Sequence, residues 1–178
     1  MSQQHAWSSR VLHWLMAAMV LTMLFVGAAM VASLAHYHRL ITIHRPLGIA
    51  ILVLVIVRFV NRQLMPMPPF PSTMPPWERA IATASERLLY ALMLALPLVG
   101  WGMLSAARYP VVLFGSLHLP PILPVNGTLF CVLRRAHTVL AYLLFFAFTA
   151  HLAGVLFHTL VLRDRLLRRM LPLAREKE

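Results

Sequence analysis

The chain has 178 residues, 60% of them hydrophobic and 12% charged, with a formal net charge of +11. That apolar share exceeds the roughly 45–50% of a soluble domain, so a bilayer is the solvent, and the excess arginine sets membrane orientation rather than binding nucleic acid. A single cysteine, Cys131, excludes a disulfide framework and covalent haem attachment through Cys-x-x-Cys-His.

Apolar runs predict helices over 10–34, 40–62, 81–106 and 131–162, each long enough to span about 30 Å of hydrocarbon. The expected fold is all-α: one membrane domain over 1–178, an integral four-helix bundle running up-down-up-down. Ser8 or Ser9 reads as the N-cap of the first helix. Cleavage of this run as a signal peptide is the alternative, at Ser33-Leu34-Ala35, but the run is longer than the roughly 7–15 residues of an h-region. The second run opens with HRPLG and closes with RFVNR. Pro97 predicts a kink in the third, tolerable where neighbouring helices re-satisfy the backbone. The proline-dense segment 65–76 reads as a stiff extended connector on the inner side. Segment 107–130 reads as an apolar outer loop lying on the membrane or capping the bundle. Arginine and lysine divide eleven to five in favour of the side carrying the termini, so both termini are expected in the cytoplasm.

The last run carries His137, His151 and His158. Fourteen helical residues leave His137 and His151 about 40° apart in azimuth and roughly 21 Å apart along the axis. One helix thus offers two imidazoles to the same side, one near each membrane face. Ionisable groups inside a membrane are functional by default, and haem iron suits histidine-only ligation there. The up-down order pairs His13 with His151 for an inner haem and His44 with His137 for an outer one. Ala17, Gly48, Ala141, Gly154 and Gly27 lie on the ligand faces, where a flat porphyrin needs close approach. His158 falls two turns beyond His151, too far out to ligate. With Ser9 and Arg10 it can hold a quinone carbonyl at the inner interface. Arg45, Arg134 and Arg135, with Arg39 and Arg108, crowd the outer end, where they either bind propionates or steer an anion. Trp14 adjoins the inner haem position, and Trp7, Trp77 and Trp101 anchor interfaces. His5, His36, His38 and His118 read as solvated, and no acid pair or serine triad supports hydrolysis.

The segments SSRVLHW, HRPLGIAILVLVIVR, ALPLVGWGM and AHTVLAYLLFFAFTAHLAGVLFH resemble the bacterial di-haem cytochrome b561 family over nearly the whole chain. The resemblance implies two haems b on His13, His44, His137 and His151. It also implies a place in the bacterial inner membrane and superoxide oxidation at the outer haem with ubiquinone as acceptor. Two other readings stand beside it. One is a haem-bearing anchor subunit exchanging electrons between quinone and a dehydrogenase or a periplasmic donor. The other is a haem-free transporter or structural bundle.

Overall fold

The computed structural model describes residues 4–65, 68–70, 74–113, 115–164 and 166–171. Among these residues four helices are long and apolar enough to cross a membrane. They are α1 (Trp7–Ala32), α2 (Tyr37–Leu64), α3 (Pro76–Ala106) and α4 (Gly127–Leu156). A 3-10 turn, Leu34–His36, joins α1 to α2, and α4 runs on into a wide π-turn, Phe157–Val161.

The helices begin earlier than the apolar runs do, because polar residues fill their first turns. Helix α1 starts at Trp7 behind Ala6, with no side-chain cap. Ser8 and Ser9 therefore lie inside the helix, which corrects their expected capping role. Helix α3 begins with Pro76, whose missing N–H costs nothing at a first position. Helix α4 is capped by Asn126, whose Oδ1 accepts from the Leu129 N–H at 2.9 Å. Helix α3 runs unbroken through Pro97, and α2 through Pro46.

Segment 107–130, expected as an apolar outer loop, contains a small antiparallel hairpin, β1 (Val111–Leu113) with β2 (Leu117–Leu119). Alternating burial along VVL drives it, with Val111 and Leu113 buried, and Gly115 turns the chain at φ +77°. The segment is clamped to the end of α3. Trp101 Nε1 donates to the Pro120 carbonyl at 3.0 Å, and the Ile122 N–H donates to Ser105 Oγ at 3.2 Å. Leu123 covers Gly102 so closely that a Cβ there would sit 2.7 Å from it.

Lipid is as apolar as leucine, so these helices associate through packing and cross-helix polar bonds. One core joins all four: Met16 and Val20, Ile51 and Val55, Leu92, Met93 and Leu96, Leu144 and Ala147. Leu144 lies seven residues from both His137 and His151, so this plug separates the two histidine levels. Helix α3 packs along α4, α1 along α2, and α2 along α3. Polar bonds add to the packing. Asn61 Nδ2 donates to Ser9 Oγ at 2.8 Å, Arg58 Nε to the Tyr90 hydroxyl at 2.8 Å, and Arg62 pairs with Glu86.

The start of α1, the connector after α2 and the tail after α4 meet at one end. Arg10 donates to the Leu171 carbonyl at 2.9 Å and Trp14 Nε1 to the Met170 carbonyl at 2.8 Å. Arg169 donates to the Pro69 carbonyl at 2.9 Å. Much of the connector over 65–76 lies outside the described residues.

Candidate functional site

His44 on α2 and His137 on α4 face each other with ring centres 6.2 Å apart and planes at 66°. A metal held at about 2 Å from one nitrogen of each imidazole would place ring centres roughly 6 Å apart. The Nδ1 atoms of both rings are buried without a hydrogen-bond partner. Helix α3 supplies the seat for His137. A Cβ on Gly100 would lie 3.2 Å from the ring Cε1 and 3.4 Å from Nδ1. Beside His44, the half-buried Arg45 has its Nε buried and unpartnered.

At the other end His13 on α1 and His151 on α4 lie within electrostatic range of each other. Arg58 on α2 lies within electrostatic range of both. Its Nη2 lies 3.0 Å from His13 Nδ1, Tyr90 holds its Nε, and its Nη1 is buried without a partner. An arginine only donates, so Nδ1 accepts here and a neutral His13 carries its proton on Nε2. Among the described residues no carboxylate pairs with Arg58, since Glu86 is taken by Arg62 and Asp164 by His158. The Trp14 ring lies 5.7 Å from that of His13, edge to face.

Every buried orphan atom found among the described residues sits on a histidine of these pairs or on an arginine at one of the two ends: Arg10, His44, Arg45, Arg58 and His137. Paired imidazoles with cationic donors left over fit a flat, dianionic, axially ligated macrocycle such as haem. No cluster of three or more His, Cys, Asp or Glu side chains forms among the described residues.

The other expected site residues fall as follows. Arg134 and Arg135 are exposed at the start of α4, unlike Arg45. Ser9 accepts from Asn61, and Arg10 donates to Gln4 Oε1 at 2.8 Å as well as to Leu171. His158 sits in the π-turn, 2.5 Å from Asp164 Oδ2 through Nδ1. The structure draws no bond between His158 and Ser9 or Arg10. The small residues separate into two groups. A Cβ at Gly27 or Gly154 would meet nothing within 4 Å and one at Gly48 only the tip of Met23, while the tight approach to a ligand ring is at Gly100.

Sequence reading passed over Gly100, Arg58, Tyr90 and Asp164. The paired glycines of GWGM after Pro97 were the available signal for the first. Arg58 is hidden among the arginines that set orientation, and nothing local marks Tyr90. His5 also departs from the expectation of a solvated side chain. Burial, with the charges of Arg58, Arg169, Arg10 and Arg62 around it, holds its imidazole below the ordinary value.

A family model described as prokaryotic cytochrome b561 matches residues 4–173. The chain is 32% identical over 130 residues to a probable superoxide oxidase CybB of Yersinia pestis, covering 73% of each protein. It is 29% identical over 167 residues to cytochrome b561 homolog 2 of Escherichia coli strain K12, covering 92% of this chain and 88% of that one. Cytochrome b561 homolog 1 of the same strain is 26% identical over 129 residues, or 72% of this chain and 73% of that one. With four helices long and apolar enough to cross a membrane and a family match across nearly its whole length, the chain belongs to the prokaryotic cytochrome b561 family of multi-pass electron-transfer proteins.

Proposed function

We propose that the chain binds two haems b, one between His44 and His137 and one between His13 and His151, and oxidises superoxide with ubiquinone as acceptor. The observation that carries this reading is the opposed His44–His137 pair, spaced for a metal and seated on Gly100. When bound, the haems supply one-electron transfer across the membrane, from superoxide at the outer end to ubiquinone at the inner.

The protein's part is ligation, placement and charge. His137 and His151 project from one helix, so α4 fixes the vertical spacing of both sites. His13, His44, His137 and His151 would hold the haem irons, and a histidine ligating through Nε2 would carry its ring proton on Nδ1. His13 would then give up its Nδ1 bond to Arg58, whose Nη2, beside the unpartnered Nη1, would be available to an anionic substituent. Arg45 serves the same purpose at the outer site, and the exposed Arg134 and Arg135 draw a small anion toward it. Ser9, Arg10 and His158 surround the quinone at the inner end. The bundle runs up-down-up-down in the bacterial inner membrane with its termini in the cytoplasm, as the arginine distribution favours. The superoxide oxidase name of the Yersinia relative supports the choice of donor.

Haem quantitation and a visible spectrum of the purified protein, followed by a superoxide–ubiquinone assay, test this reading. A split b-type spectrum with ubiquinol formation dependent on superoxide is the expected result. A colourless protein removes the cofactor assignment, and a red protein that superoxide does not reduce removes the donor.

A further inference from the structure

The geometry points to Asp164 as the positioning residue for a proton donor at His158, serving the carbonyl of a quinone bound at the inner end. The inference rests on the quinone assignment proposed above.

Helix α4 does not simply stop. Its last turn widens into a π-turn over Phe157–Val161, a distortion frequent at functional sites. Arg163 then takes a left-handed backbone at φ +51°, uncommon for a residue with a side chain. Together these reverse the chain so that Asp164 returns onto His158. The Asp164 N–H donates to the His158 carbonyl at 3.1 Å. Its Oδ2 lies 2.5 Å from His158 Nδ1, and its Oδ1 accepts from the Leu166 N–H at 3.2 Å. The carboxylate is thus fixed by backbone on one side and holds the ring on the other, the relation in which an acid sets the tautomer and aim of a histidine. Exposure falls from 31% at the Asp164 side chain to 17% at that of His158, so the pair leads inward from water.

Reduction of ubiquinone to ubiquinol takes two electrons and two protons, converting both carbonyl oxygens to hydroxyls. Two superoxide ions, each oxidised to dioxygen, supply the electrons, and cytoplasmic water supplies the protons. A protonated His158 offers Nε2–H to one carbonyl while its Nδ1–H stays on Asp164. Loss of the Nε2 proton leaves the Nδ1–H tautomer, still held by the same carboxylate and ready to be reprotonated from water. The tail of the molecule makes this device part of the closure. From Leu166 it runs to Met170 and Leu171, which bind Trp14 and Arg10 on α1.

The test pre-reduces the full haem-loaded protein and follows its reoxidation by a short-chain ubiquinone, in the native chain and in D164N, D164A and D164E. D164N and D164A are expected to keep the haem spectrum and their reduction by superoxide, yet to reoxidise at least about tenfold more slowly, the lower side of general acid–base effects. D164E, which retains the charge, is expected to recover part of the rate. Nitrogen-15 spectra of His158 should show the Nδ1–H tautomer in the native protein and a mixture in D164A. Native-like reoxidation in all three variants makes Asp164 a tail clamp only and overturns the inference. A native protein that no quinone reoxidises overturns the proposed function as well. If the variants lose haem, the solvent deuterium effect on native reoxidation decides: slowing in deuterium oxide supports the relay, and its absence removes it.

Discussion

The two histidine pairs are built differently, although α4 serves both. His44 and His137 face each other directly, and the seat beneath His137 is a glycine on a third helix packed tightly along α4. Among the described residues, His13 and His151 are linked only through electrostatics, and Arg58 on α2 engages His13 on its nitrogen. The first site is set by backbone shape and the second by a movable cation and a folded tail. Shape tolerates little change, so it suits a site whose geometry must persist. A charge held by hydrogen bonds can be exchanged, which suits a site that handles protons.

Removing ligands should expose this difference most strongly. His151→Ala is expected to abolish the inner haem signal and leave most of the outer one. His137→Ala should do the reverse, halving haem content in each case. Equal loss of both haems in either variant, with the bundle still helical by circular dichroism, breaks the pairing. A smaller effect is expected from crowding the seat. Gly100→Ala places a carbon 3.2 Å from the His137 ring, so the ring must give by a few tenths of an ångström. Overpacking of this kind costs about 1–3 kcal/mol. The outer haem should then load less completely or shift its spectrum, with the inner one unaffected.

Arg58 offers a finer probe of the second site. Arg58→Leu removes one positive charge beside His13. The inner haem potential is expected to fall by on the order of tens of millivolts, as one charge produces at an effective dielectric near 20. Redox titration should find the outer potential unmoved, and an equal fall in both would place Arg58 between the sites rather than at one.

How far these differences could be read from sequence depends on the kind of interaction. Four apolar runs and a 14-residue histidine interval are periodic signals along one chain, so the spans and the shared α4 spine are legible from residue order alone. Helix starts are less so, because a first turn such as WSSR or PWERA carries no membrane hydropathy. The Gly100–His137 contact joins residues on different helices, and no local pattern announces it. Asp164 is only six residues from His158, yet bringing them together needs a π-turn and a left-handed arginine that no periodicity encodes. The hairpin over 111–119 was hidden by its brevity, since three apolar residues fit a strand as well as a surface loop.

The weakest expected effect concerns the tail that closes the inner end. The His5 N–H donates to the Arg169 carbonyl at 3.3 Å, so the N-terminal segment and the tail are tied at this point. Burial and the surrounding arginines lower the His5 imidazole below its ordinary 6.5 in the folded chain. The unfolded chain therefore binds a proton first as pH falls, and stability drops with decreasing pH in the window below about 6.5. Above it the ring is neutral in both states and contributes no slope. Thermal midpoints of the native protein should decline from about pH 7 toward pH 5, and the decline should be shallower in His5→Gln. The outer pair is remote from His5, so the spectrum of its haem should persist through this range while the inner signal weakens first. Simultaneous loss of both signals would mean that the whole bundle, and not the folded tail, responds to acid.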